Sequence, residues 1–247
     1  MLFKAIATIP ARIGSERLPG KPLRILGGIP LIRRVYEAVQ KSELFHEIIV
    51  LTDSSEISRC VEKFGGTVMF TPAECSSGTE RILAVRYSLQ GEIIVNIQGD
   101  EPFIDRDSLA RLIMTFENPE IRLASLMQRA RYTEELDNPN IVKVTVDRQS
   151  NALYFSRALI PFSRSESNRD NVPYYKHIGV YAYRRVILDD LAALNSGTLE
   201  RIENLEQLRW LENGFKIRMV ETDYDGWGID TEEDLQRAEE RISERES

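Results

Sequence analysis

Histidine and cysteine are both scarce, two of each in 247 residues. Cys60 and Cys75 cannot build a disulfide framework, and no Cys-x-x-Cys pair marks a structural zinc site. Both read as reduced thiols that do no chemistry, as expected of a cytoplasmic protein. Long apolar runs are missing too. The longest, such as 48–51 and 93–95, are far too short to span a bilayer, so no membrane insertion is expected. No basic stretch followed by an apolar segment opens the chain, and no signal peptide is expected. Excess positive charge is absent: 32 Lys and Arg against 39 Asp and Glu leave a net charge of −7, which argues against a broad nucleic-acid surface. The dinucleotide fingerprint Gly-x-Gly-x-x-Gly does not occur, which removes the main support for hydride transfer.

Against this background the first loop stands out. Residues 9–21, IPARIGSERLPGK, follow an apolar run over 3–9 that reads as a buried opening strand. Three cations, Arg12, Arg17 and Lys21, sit in a turn that also holds Gly14, Ser15, Pro19 and Gly20. Such a turn can close backbone N–H groups on an anion while the cations add fixed charge. It is not a Walker loop: five residues separate Gly14 from Gly20, and Pro22 after Lys21 has neither N–H nor hydroxyl. Alone, the segment could equally be a solvated basic loop.

Short apolar runs then alternate with amphipathic ones, the pattern of βαβ units. Strands are expected at 47–52, 67–70, 93–97 and 123–127, and helices at 31–39, 55–63, 79–89 and 108–116. Either Asp53 or Ser54 can cap the second helix. The second half differs. Residues 142–147 and 152–156, joined by an Asp147–Asn151 turn, predict a hairpin, and 177–183 predicts another strand. Helices near 185–193 and 202–212, a strand at 216–221 and a helix from Thr231 follow, while the polar stretch 163–171 predicts a surface loop. The pattern reads as one mixed α/β domain over 1–247 with a β-rich insertion near 130–180.

Two carboxylates fall between a strand and a helix: Asp100 in 98–102, QGDEP, and Asp230 in 226–231, GWGIDT. At the carboxyl ends of strands such groups could hold Mg2+ against a nucleotide's phosphates. Taken alone, Asp230 reads more readily as a helix cap than as a metal ligand. The pair beside a cationic loop points to metal-assisted phosphoryl or nucleotidyl transfer. The segment 75–81, CSSGTER, is either a polar wall for a nucleotide or a plain capped helix start around Thr79. His177, read in isolation, is a structural histidine, and 203–209 either offers Glu206 and Gln207 to sugar hydroxyls or is the surface face of a helix.

These segments, together with 152–157 (ALYFSR), 177–181 (HIGVY) and 205–209 (LEQLR), resemble the 3-deoxy-manno-octulosonate (Kdo) cytidylyltransferase family, in order from residue 9 to residue 231. The resemblance implies a Rossmann-like nucleotidyltransferase fold of the α/β class, with a central mixed, mostly parallel sheet flanked by helices. It implies the reaction CTP + Kdo → CMP-Kdo + diphosphate for lipopolysaccharide biosynthesis. By the same resemblance Arg12, Ser15 and Lys21 would hold the triphosphate, and Ser77 and Gly78 would lie near the nucleotide. Asp100 and Asp230 would bind Mg2+, and Gln98, Arg157, His177, Tyr181, Glu206 and Gln207 would line the sugar site. Arg12, Lys21, Asp100 and Asp230 form the expected catalytic set. The residue types suit an acid sugar, with an arginine fork for its carboxylate and mixed donors and acceptors for its hydroxyls. A homodimer is implied, with the β-rich insertion serving sugar binding and dimerisation. Pro72 stands where many relatives carry Arg, and Trp227 has no role to inherit.

The nearest rivals are the same chemistry on 8-amino-Kdo or sialic acid. A glycosyltransferase of related fold would usually show an Asp-x-Asp pair, whereas Glu101-Pro102 follows Asp100. A non-catalytic nucleotide sensor would need no sugar-acid residues.

Overall fold

The computed structural model describes residues 3–14, 17–130, 134–164 and 172–246. Ser15 and most of the surface loop expected at 163–171 lie outside them. The chain divides into two compact units, Met1–Ala110 with Asp225–Ser247, and Arg111–Tyr224. The alternation of elements along the chain suggests instead a single domain, with its insertion nearer 130–180.

In the first unit, strand β1 (Ala5–Pro10) is buried at all six positions because parallel strands flank it on both edges, β4 (Glu47–Thr52) and β6 (Ile93–Asn96). Strand β5 (Thr67–Phe70) extends β4, also in parallel. Near-continuous apolar runs are what parallel strands covered on both faces require. Between β1 and α1 (Leu31–Lys41) runs a short hairpin, β2 (Ile25–Leu26) with β3 (Ile29–Pro30). Pro30 is the extended residue preceding α1. Helix α2 (Ser55–Lys63) starts at Ser54, whose hydroxyl accepts from the amides of Glu56 and Ile57. Helices α3 (Gly78–Val85), α4 (Arg106–Met114) and α8 (Glu232–Glu246) complete the unit, the division falling within α4.

The second unit is mixed. Strand β7 (Leu123–Ala130) pairs antiparallel with the long β10 (Tyr174–Arg184) and parallel with β11 (Arg218–Glu221). The expected hairpin forms from β8 (Lys143–Val146) and β9 (Ala152–Ser156), and β8 meets β10 at Lys176. Helices α5 (Leu188–Ala192), α6 (Thr198–Glu203) and α7 (Gln207–Glu212) follow. The continuous helix expected over 202–212 is broken, because Asn204 adopts a left-handed conformation (φ 51°) that closes α6.

The carboxyl ends of β1 and β6 approach so closely that glycine is required there. A β-carbon on Gly99 would lie 2.8 Å from the Pro10 carbonyl oxygen. Gly99→Ala is therefore expected to cost about 1–3 kcal/mol through a forced backbone shift, a fall in melting temperature of roughly 2–10 °C. Gly14→Ala is the control, since nothing lies within 4 Å of its would-be side chain. Equal melting of the two variants by calorimetry would contradict this packing.

Candidate active site

Three loops of the first unit deliver charge to one point. Lys21 begins the short 3-10 turn Lys21–Leu23, Asp100 follows β6, and Asp230 precedes α8. The Lys21 ammonium lies 2.5 Å from Asp100 Oδ2 and 2.9 Å from Asp230 Oδ1. Burial alone would lower the pKa of Lys21, but the Asp100 carboxylate and then that of Asp230 outweigh it and hold the pKa above its ordinary value. Arg17 Nη2 reaches the other Asp230 oxygen at 3.0 Å. Arg17 is one of the loop cations but lies outside the catalytic set that the resemblance implies. Its proximity to Pro19-Gly20-Lys21 in sequence is the available signal.

Asp230 does not cap α8. Thr231 does: its hydroxyl accepts from the amide of Asp234, and Asp234 Oδ2 accepts from the amides of Asp230 and Thr231. This reciprocal capping leaves the Asp230 carboxylate to the cations. The backbone then locks the two acidic loops together, the Ile229 amide donating to the Asp100 carbonyl at 2.9 Å. Two carboxylates around one ammonium form a hard-oxygen donor set already arranged about a cation. Among the described residues no group of three or more His, Cys, Asp or Glu side chains could hold a metal. A divalent ion here would complete its shell from phosphate and water, as Mg2+ ordinarily does.

The remaining nucleotide candidates lie in the same unit. Arg12 Nη1 donates to the Ser76 carbonyl at 3.4 Å. Ser77, rather than Thr79, caps α3, its hydroxyl accepting from the Glu80 amide, while Glu80 Oε2 accepts from the Ser76 amide. Gly78 packs tightly: a β-carbon there would lie 3.0 Å from Pro10 Cγ and 3.5 Å from Gln98 Nε2. Gln98 in turn donates to Asn96 Oδ1. The buried Arg81 ties the ends of β4 and β5 together, through Asp53 at 3.3 Å and Thr71 Oγ1 at 2.5 Å.

The other sugar candidates belong to the second unit. His177 stacks edge-on with Phe155 at 5.0 Å and contacts Tyr181 at 5.3 Å. Between them β10 bulges, the register against β7 shifting between Ile178 and Tyr181. Ser125 fills the bulge: its hydroxyl lies 2.9 Å from both His177 Nε2 and the Val180 carbonyl. No sequence signal identifies Ser125. The buried Tyr181 has its pKa driven well above 10, first by burial, then by the charges of Tyr183 and Glu206. Gln207, the first residue of α7, is buried. Arg157 joins this group through the link between α6 and α7, its guanidinium donating to the carbonyls of Glu203, Asn204 and Pro139. Beneath it the buried Lys143 donates to the carbonyls of Asn138, Ile141 and Arg157. Desolvation lowers the Lys143 pKa.

His177 is half-buried, and desolvation lowers its pKa from the ordinary 6.5 to about 3. The unfolded chain binds this proton below pH 6.5, whereas the folded one does not until about pH 3. The stabilisation is thus complete above 6.5 and is lost as the pH falls through that window. His177→Gln is expected to flatten the decline in melting temperature between about pH 6.5 and 5. An equal decline in both proteins would show that His177 already accepts a proton in the folded state.

A family model described as Cytidylyltransferase matches residues 6–217. The 3-deoxy-manno-octulosonate cytidylyltransferase of Syntrophus aciditrophicus (strain SB) is 47% identical over 238 residues, covering 95% of each chain. That of Thermodesulfovibrio yellowstonii is 45% identical, covering 96% of this chain and 98% of its own. A solved CMP:2-keto-3-deoxy-manno-octonic acid synthetase complexed with CTP superposes with a TM-score of 0.92 at 37% identity, covering 98% of this chain and 99% of that one. The fold is thus the α/β nucleotidyltransferase fold, a mixed, mostly parallel sheet flanked by helices. A 4-diphosphocytidyl-2C-methyl-D-erythritol synthase of Anaerococcus prevotii shares the fold alone, with a TM-score of 0.64 at 17% identity. With the capping of α8 leaving Asp230 to join Asp100 against one cation, this nucleotidyltransferase belongs to the 3-deoxy-manno-octulosonate cytidylyltransferase family.

Proposed function

We propose that the chain transfers the cytidylyl group of CTP to the anomeric hydroxyl of Kdo, releasing diphosphate, with Mg2+ held by Asp100 and Asp230. The observation that carries this reading is the convergence of both carboxylates on the Lys21 ammonium, at 2.5 and 2.9 Å. It occurs in a chain that matches, over nearly its full length, a synthetase solved with CTP. When bound, Mg2+ would lower the pKa of the anomeric hydroxyl and screen the triphosphate.

The chain's own side chains do the rest. Lys21 serves two states. Without nucleotide it neutralises the carboxylate pair. With nucleotide it would turn to the triphosphate, freeing Asp100 and Asp230, the side chains that would hold Mg2+. Arg12 and Lys21 then offset the charge that builds on the departing diphosphate as the bond from the α-phosphorus to the bridging oxygen breaks and the sugar oxygen, its proton passing to solvent water, bonds in line. Ser15 is assigned to the triphosphate, and Ser77 and Gly78 to the nucleotide.

On the sugar side, Gln98, Arg157, His177, Tyr181, Glu206 and Gln207 are assigned to the acid sugar. Three of the five guanidinium N–H groups of Arg157 already meet carbonyls, which fixes its plane and leaves two for a carboxylate. His177 stays uncharged at working pH, so it acts as a hydrogen-bonding partner and not as a proton carrier. Among the described residues no helix is long and apolar enough to cross a membrane. A cytoplasmic homodimer feeding lipopolysaccharide biosynthesis is the setting we assign to it.

Two measurements test this reading. Diphosphate release should appear with CTP, Mg2+ and Kdo, and not with sialic acid. Release only with 8-amino-Kdo would move the substrate and keep the chemistry, while silence with all three sugars would reject it. Asp100→Asn, assayed at saturating CTP, should lose about 10²-fold or more in turnover, the usual scale for removing a charge-stabilising group. Near-normal turnover would remove Asp100 from the reaction.

A further inference from the structure

The three loops that carry Lys21, Asp100 and Asp230 share a second feature. Each places one apolar side chain three residues from its charged one: Leu18 before Lys21, Phe103 after Asp100, and Trp227 before Asp230. All three meet in one cluster under the site. Leu18 is buried there with Ile229 and the apolar face of α8, and Phe103 and Trp227 pack against it. The Phe103 and Trp227 rings lie 5.0 Å apart at 47°.

Helix α8 clamps this pair with two arginines. The Arg237 guanidinium lies 4.1 Å from the Trp227 ring centre, and that of Arg241 lies 4.6 Å from Phe103 and 5.1 Å from Trp227. Arg241 also donates to the Asp225 carbonyl at 2.5 Å, at the start of the segment that leads to Asp230. It therefore touches both acidic loops at once. The Trp227 Nε1 atom is buried and meets no hydrogen-bond partner among the described residues. What the site draws from tryptophan is its electron-rich ring face, which attracts cations more strongly than the ring of phenylalanine. A half-buried indole held by two cations that also reach the Asp100 and Asp230 loops does more than fill a core.

We infer that Trp227, set against Phe103 and gripped by Arg237 and Arg241, is a positioning residue that fixes the separation of the Asp100 and Asp230 carboxylates. This rests on the reading of those carboxylates as the metal ligands. Groups that orient metal ligands without touching the metal typically change its affinity by 10- to 100-fold when removed. Trp227 and Arg241 act on the ligands through the loops that carry them.

The test is Mn2+ binding by electron paramagnetic resonance, with CTP present and sugar omitted so that no turnover occurs. Trp227→Leu and Arg241→Met are each expected to weaken Mn2+ binding about tenfold. Trp227→Phe, which keeps a ring face for the arginines, should stay within about threefold of the unmodified chain. CTP binding in the presence of a chelator should be unchanged in all three, a result that loss of general packing would not give. Should Trp227→Leu fail to fold, Arg241→Met, which keeps both rings, decides the question. Unchanged Mn2+ affinity in Arg241→Met and in folded Trp227→Leu, alongside its loss in Asp100→Asn, would overturn the positioning role and leave the metal reading standing. Undiminished Mn2+ binding in Asp100→Asn would overturn the metal reading and this inference with it.

Discussion

The ammonium of Lys21 between Asp100 and Asp230 is the contact on which the first unit's site depends. Any two like charges about 4 Å apart repel by roughly 4 kcal/mol at an effective dielectric near 20, and Asp100 and Asp230 both press on one ammonium. Loops bearing them would not converge without a cation between them. Lys21 supplies that cation from within the chain, and its raised pKa keeps it charged across the neutral range. The sign is favourable: the stabilisation from this shift is complete at neutral pH and is lost only as the pH rises past the ordinary lysine value of 10.5. Arg17 adds a second cation on the more exposed Asp230.

The rest of the unit can be traced outward from that contact. A carboxylate can face a cation only if no helix amide claims it first, which is why the capping of α8 by Thr231 and Asp234 matters. The loops can meet only if the ends of β1 and β6 come close, which is why position 99 has no side chain. The approach is held by a backbone bond from Ile229 to Asp100 and by the apolar anchors beneath. In the second unit the logic is reversed. His177 and Lys143 have their pKa values lowered by burial, and the polar groups there are fixed by carbonyls and hydroxyls.

Much of this is legible in the sequence. The strands at 47–52 and 67–70 and the helix at 55–63 have the bounds expected of them, since apolar period and caps are local signals. Residue types and loop positions suggest the convergence of Lys21, Asp100 and Asp230. What is not legible depends on distant partners. Asp230 resembles a helix cap until Thr231 and Asp234 are seen to fill that role. Arg157 looks like an open fork until the carbonyls of the segment joining α6 to α7 are found beside it. The break at Asn204 has no proline or glycine to announce it, because the left-handed turn falls on an asparagine. Ser125 and Lys143 carry no motif; only the strand register brings them to the bulge and to Arg157.

The central claim is that Lys21 and a divalent cation occupy the same place. It is tested most directly by calorimetric titration of Mg2+ into nucleotide-free protein, comparing the unmodified chain with Lys21→Met. If the ammonium holds the carboxylate pair, its removal exposes that pair, and Mg2+ should bind the variant at least about tenfold more tightly, the equivalent of 1.4 kcal/mol. Arg17→Met, which removes one positive charge from the rim, should show a much smaller gain. Equal Mg2+ affinity in the unmodified chain and in Lys21→Met would mean that the two cations do not compete, and the account of the site would fail.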